Sequence, residues 1–274
     1  MLRLLSSGVL IVAHKEDTTP LRKALLAEGF AVDEVRGTYT PEQLNFSASM
    51  RCRINHANAW RIAADRDRPT IIVEADFVPV KGFGDLPVPI PADKFNDSVA
   101  YLYSIGPQIW DLAGKSVARG HASGGVAMLI PPRVALLLLQ LIDEELKRNP
   151  LGKYPWLDHR LGYWLLEKGV ESYIPYRHYG EHGGIGNPEH VLALGFLGRP
   201  HRADTLQGRL AFLPAYAEGS VLRFWKIRVR ARLWGVLRLF CGRLLAWHDF
   251  KRSDDRLQMI RFAVGRLLVR KMPR

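Results

Sequence analysis

SASMRCRINHANAWRIAADRDRPTIIVEADFVPV, residues 47–80, joins a helix-like segment to a strand that stops at two carboxylates, Glu74 and Asp76. The run Thr70-Ile71-Ile72-Val73 is β-branched and apolar on both faces, the pattern of a strand inside a parallel sheet. Such sheets place their ligands beyond the carboxyl ends of their strands. Charge at that position is costly unless something uses it, so Glu74 and Asp76 mark a candidate site.

On either side of this segment, strand patterns at 9–13, 31–35, 99–104 and 126–130 alternate with helical patterns at 19–28, 50–64, 133–147 and 158–168. Alternation of this kind predicts an α/β fold with a mostly parallel sheet flanked by helices. Pro87, Pro89 and Pro91 break the chain after the acidic strand end, which reads as loop.

With 274 residues, 47% hydrophobic and 24% charged, the chain is long enough for one sizeable core and an appendage. Cys52 and Cys241 are far apart and fit neither a disulfide framework nor a zinc ribbon, which suggests a reducing compartment. The opening MLRLLSSGVLIVAHKED lacks the longer apolar core and cleavage site of a secretory signal. No stretch approaches the roughly 20 apolar residues that span a bilayer. A cytoplasmic protein is the expectation.

The net charge of +12 is concentrated at the end of the chain: residues 215–274 hold 15 Lys and Arg against 4 Asp and Glu. The shift follows Pro214 and predicts a body at 1–214 and a basic tail at 215–274. Leu222, Trp225, Val229, Leu233, Val236, Phe240, Leu244 and Trp247 recur at helical spacing. After Ser253-Asp254-Asp255, Leu257, Ile260, Val264 and Leu267 form a second face flanked by arginines. Two basic amphipathic helices are therefore expected. Either the stripe packs on the body with its arginines in solvent, or it attaches to an anionic membrane surface. No helix-turn-helix, zinc-finger or RNP-like pattern points to nucleic acid.

Four segments in order resemble glycosyltransferase family 25, the lipopolysaccharide-type sugar transferases. They are residues 47–60, SASMRCRINHANAW; 71–76, IIVEAD, similar to that family's Leu-Glu-Asp-Asp strand end; 124–131, GGVAMLIP; and 155–158, PWLD. The resemblance covers about residues 6–190 and leaves the tail outside. Ala75 stands where the family has a middle carboxylate, and Asn55 where it has a serine before the histidine.

The resemblance implies a GT-A-like fold and transfer of a hexose, galactose among the candidates, from a nucleotide sugar, most readily UDP-hexose. The acceptor would be a glycan or lipid-linked molecule of lipopolysaccharide or surface polysaccharide, with inversion at the anomeric carbon. A leaving nucleoside diphosphate calls for Mn²⁺ or Mg²⁺ or for cationic side chains. Glu74 and Asp76, two residues apart on an extended segment, can face one cleft as metal ligands. Ala75 weakens that expectation. Asp158 takes the role of base for the acceptor hydroxyl by the same resemblance, or is a helix N-cap; Asp111 is its rival. His56 is a nucleotide-facing or a buried, bonded histidine. His14, Lys15 and Arg22 fall where a leading βα loop meets a diphosphate. In the glycine-rich residues 178–190, His182 is the candidate for contact with diphosphate or metal. The opposing reading is a catalytically degenerate transferase-fold protein that binds nucleotide or a partner.

Overall fold

The strand expected at 70–74 is β3, Thr70–Glu74, and it lies beside β1, Val9–Ala13. Both belong to a computed structural model that describes residues 1–155, 157–185, 189 and 202–268. The side chains of residues 105, 157–159 and 252 fall outside that description. With β2 (Val32–Arg36), β5 (Ser98–Leu112), β6 (Val117–Ile130) and β7 (Glu171–Pro175), they form a six-stranded sheet in the order β2-β1-β3-β6-β5-β7. β1 is parallel to β2 and β3, and β5 to β7, whereas β6 runs against β3, β5 and β7. Only β6 is reversed, so the mostly parallel α/β sheet expected from the sequence is the one observed.

Both faces of the sheet are covered, and strand alternation decides which residue goes where. Leu10, Val12 and Ile72 face a core shared with α3 (Ala48–Ala64), α4 (Pro132–Arg148) and α5 (Leu157–Glu167). Val9, Ile11, Ile71 and Val73 face the opposite core, under α1 (Leu2–Leu5) and α2 (Thr19–Ala27). The start of α3 is fixed by Ser47, whose Oγ accepts from the Met50 amide at 3.1 Å, an N-cap arrangement. On α4, Val134, Ala135, Leu138, Leu141 and Ile142 supply the buried stripe.

Two strands extend well past their expected bounds. β5 and β6 continue as a long antiparallel hairpin with several register shifts, so the glycine-rich residues 120–125 are strand, not loop. A Cβ at Gly120 would stand 2.3 Å from the Gln108 carbonyl oxygen. Small size lets β5 and β6 approach there.

The basic tail forms α6 (Val221–Phe240), α7 (Trp247–Arg252) and α8 (Arg256–Leu268). Of the two sequence expectations, packing of the whole apolar stripe on the body with its arginines in solvent is not what is observed. Gly242, in the left-handed region at φ +67°, turns the chain after α6, and Leu244 drops into a cluster with Ile109, Met259 and Phe262. Leu222, Trp225, Val229, Leu233 and Phe240 remain exposed, and the buried residues of α6 are Ala231 and Gly235. On α8 the inward face is Met259, Phe262, Ala263 and Leu267, with Leu257 and Ile260 outside. The reason is polar. Fully buried Arg266 donates to the Pro175 carbonyl at 3.2 Å and to Asp204 at 3.1 Å, which turns that side of α8 inward. No helix among the described residues is long and apolar enough to cross a membrane.

Candidate functional site

Because β1, β2 and β3 are parallel and in register, their carboxyl ends share one edge: Val12 pairs with Glu74 and Ala13 with Arg36. The chain leaves β1 toward β2 on one side and returns to β3 on the other, so the crevice above β1 is a topological switch point. An open pocket of about 150 Å³ lies there, bounded by His14, Tyr39, Arg51, Asn55, Glu74 and Asp76 among others.

After Glu74 the chain turns through Ala75-Asp76 into β4 (Phe77–Pro79), which pairs antiparallel with β8 (Gly180–His182) so that Phe77 stands opposite His182. This pairing carries His182 Nε2 to 2.8 Å from Asp76 Oδ2. From the other side, His56 on α3 brings its Nε2 to 3.0 Å from Glu74 Oε1. Ligand atoms of Glu74, Asp76 and His182 lie within 4.8 Å of one another. Cys52, His56 and Glu74 make a second group that meets the same limit.

Glycine allows the close fit. A Cβ on Gly184 would meet Asp76 Oδ2 at 2.1 Å, and one on Gly180 would meet the Phe77 ring at 2.3 Å. The Gly183 amide donates to the Asp76 carbonyl at 2.7 Å. Arg202 closes this side, donating to the His182 carbonyl at 2.5 Å and the Gly184 carbonyl at 2.6 Å.

The electrostatics follow from these pairs. Burial opposes the ionised form of Glu74, but its bond to His56 and the charges of His56, Arg53 and His182 outweigh it and hold the carboxyl below its usual range. Burial also works against a charged His182. The attraction of Asp76, its hydrogen bond and the field of Glu74 prevail and raise its pKa. Asp76 Oδ1 and Asn55 Oδ1 are buried and have no hydrogen-bond partner among the described residues. Unpaired acceptors at such depth are costly, and they are the atoms a cation or ligand donor would satisfy. Two carboxylate oxygens and an imidazole nitrogen suit Mn²⁺, and Mg²⁺ less well because of the nitrogen.

The sequence candidates divide clearly. Glu74, Asp76, His56 and His182 come together, and His14 joins them at the end of β1, its ring 5.3 Å from that of Tyr39. Lys15 is exposed. Arg22 is exposed and donates to the Val32 carbonyl at 2.9 Å; it ties α2 to β2 and does not line the pocket. Asp158 is the second residue of α5, and its side chain lies outside the described residues, as does His190. Asp111 pairs with Arg119 and accepts from its own neighbour's amide, Leu112, at 2.8 Å. His178 is buried against Asp204 and Arg266, away from Asp76.

Residues not singled out from the sequence also belong here. Ala48, Arg51, Cys52 and Asn55 line the pocket from one face of α3, and their spacings of three and four were the available signal. The Asn55 amide donates to the Ala13 and Val35 carbonyls at 2.8 and 3.0 Å, clamping the ends of β1 and β2. Arg202 had no local signal, since its role depends on a contact across the fold. In comparisons with protein-family models and with curated proteins, the chain matches none.

Proposed function

We propose that this protein is a nucleotide-sugar-dependent glycosyltransferase that moves a hexose from UDP-hexose to a glycan or lipid-linked acceptor of surface polysaccharide, with inversion. The observation that carries the reading is the Glu74, Asp76 and His182 group at a topological switch point, with unpaired acceptors on Asp76 and Asn55 facing the need for a ligand. In this reading Asp76, Glu74 and His182 would hold Mn²⁺ or Mg²⁺, and the ion would supply positive charge for a diphosphate leaving group. Arg51 adds positive charge at the pocket wall, His14 lines it beside Arg51, and His56 orients Glu74. Asp158 is the base on the strength of the motif resemblance. A lipid-linked acceptor goes with peripheral placement at the inner face of the cytoplasmic membrane.

One observation favours the degenerate reading. With Ala75 in place of a third carboxylate, Glu74 and Asp76 each already have a histidine partner, so the group is electrostatically satisfied without an ion. Calorimetric titration with UDP, GDP, CMP and their sugars, with and without Mn²⁺, separates the two. The transferase reading expects one nucleotide to bind in a Mn²⁺-dependent way, with Asp76→Asn weakening it at least about tenfold, equivalent to about 1.4 kcal/mol. Nucleotide binding indifferent to both metal and Asp76→Asn supports the degenerate protein. Absence of binding by any nucleotide rejects the transferase.

A further inference from the structure

Helix α6 is built against the usual rule for an amphipathic surface helix, in which apolar residues face the core and charge faces water. Its inward side is held by arginines. Arg228 pairs with buried Glu181 and donates to the Ala203 carbonyl at 2.8 Å. Arg232 and Arg238 reach the carbonyls of Asp204 and Pro107, each at 3.4 Å. The outward side carries Leu222, Trp225, Val229, Leu233 and Phe240, which are between 55% and 82% exposed. These residues follow spacings of three, four, four and seven and so form one continuous stripe on a 20-residue helix. Lys226 and Arg230 border it, both exposed.

We infer that the outward face of α6 is a docking surface for an anionic phospholipid bilayer. This rests on the peripheral placement proposed above and names the surface and the lipid class. An apolar stripe with tryptophan and a bordering cationic rim matches the headgroup boundary, where apolar groups sink in and Lys and Arg meet lipid phosphate. Charge decides against a second copy of the chain. A two-fold contact would set the same patch against itself, and residues 215–274 carry a surplus of positive charge, 15 Lys and Arg against 4 Asp and Glu.

The arginine side makes the consequence more than anchoring. Glu181, held by Arg228 and by Tyr216, precedes His182 on β8, and His182 pairs with Asp76. A bilayer against α6 would thus lie on the far side of a helix that is bonded directly to the residue preceding His182. A lipid-linked acceptor held at that bilayer would be delivered to the site by the same helix.

The test uses the full chain without nucleotide, so that its failure is separate from failure of the transferase reading. Phosphatidylcholine vesicles, with and without phosphatidylglycerol, are sedimented with wild type, with the double variant Leu222→Ser/Phe240→Ser, and with Lys226→Glu/Arg230→Glu. Wild type is expected to bind the phosphatidylglycerol vesicles in a salt-sensitive way. Each double variant is expected to lose roughly tenfold or more in partitioning while its circular dichroism and melting stay as in wild type. Equal binding to both vesicle types, unchanged binding by the Leu222→Ser/Phe240→Ser variant, or a dimer in light scattering that Phe240→Ser disperses would each overturn the inference.

Discussion

His178 and His182 stand four positions apart, and their pKa values are shifted in opposite directions. Burial, then the charge of Arg266, pushes His178 down to about 4 from an ordinary 6.5, so it is neutral near pH 7. Asp204 keeps its charge throughout that range, because the Arg266 guanidinium and the bond from His178 overcome the cost of burial. The linkage sign follows: between pH 6.5 and about 4 the unfolded chain takes up a proton at His178 that the folded chain refuses. Stability is therefore complete above pH 6.5 and falls as pH drops toward 4, by up to about 3 kcal/mol. Urea denaturation across that window should show the decline, and His178→Gln, which keeps a hydrogen-bonding group but no titration, should flatten it. His182 has the reverse sign, since Asp76 raises its pKa; its contribution is full below the unfolded pKa and is lost as pH rises through the folded one. The same proton competes with a cation at this imidazole. Mn²⁺ affinity measured by calorimetry should accordingly climb as pH rises through the raised pKa, and His182→Gln should remove that climb.

At the level of elements, the legible parts were those whose residues solve their problem locally. β1 and β3 are each a short apolar run buried on both faces, and they occupy the expected positions at 9–13 and 70–74. Helices α3 and α4 start within two residues of expectation because a cap or a proline marks them. β7 was missed, and Glu171-Ser172-Tyr173-Ile174-Pro175 is strand because β5 and β6 both pair with it, a non-local cause. β8 was hidden in a glycine-rich segment that reads as loop. Gly180 in fact lets it lie against β4, and at Gly184, two residues past its end, any Cβ collides with the Asp76 carboxylate. Gly184→Ala should displace Asp76 and abolish Mn²⁺-dependent nucleotide binding with little change in melting temperature. Gly208→Ala, whose added Cβ finds ordinary contacts from 3.5 Å outward, should bind as wild type. Equal binding by the two variants would show that the β8 to Asp76 fit does not shape the site.

For the whole molecule, the charge step at residue 215 was visible in the sequence, but its meaning was not. A surplus of arginine reads as a solvated or lipid-facing rim, whereas Arg228 and Arg266 are bonded inward to Glu181 and Asp204. Nothing local announces this, because the partners lie 47 and 62 residues away. The tail is thereby bound to the body by buried charge pairs, and by the cluster of Ile109, Leu244, Met259 and Phe262. Removing one member of such a pair strands the other charge and costs about 3–5 kcal/mol, whereas changing an exposed residue costs less than about 0.5 kcal/mol. Arg266→Met should thus lower unfolding free energy severalfold more than Phe240→Ser, although the second change deletes a large aromatic side chain and the first retains an apolar one of similar length. Ending the chain at residue 214 strands both Glu181 and Asp204 and uncovers Ile109 and Tyr176, and the resulting fragment should show no cooperative melting transition in calorimetry. A fragment that melts cooperatively near the temperature of the full chain would mean that the body folds without its tail and that these charges find water instead.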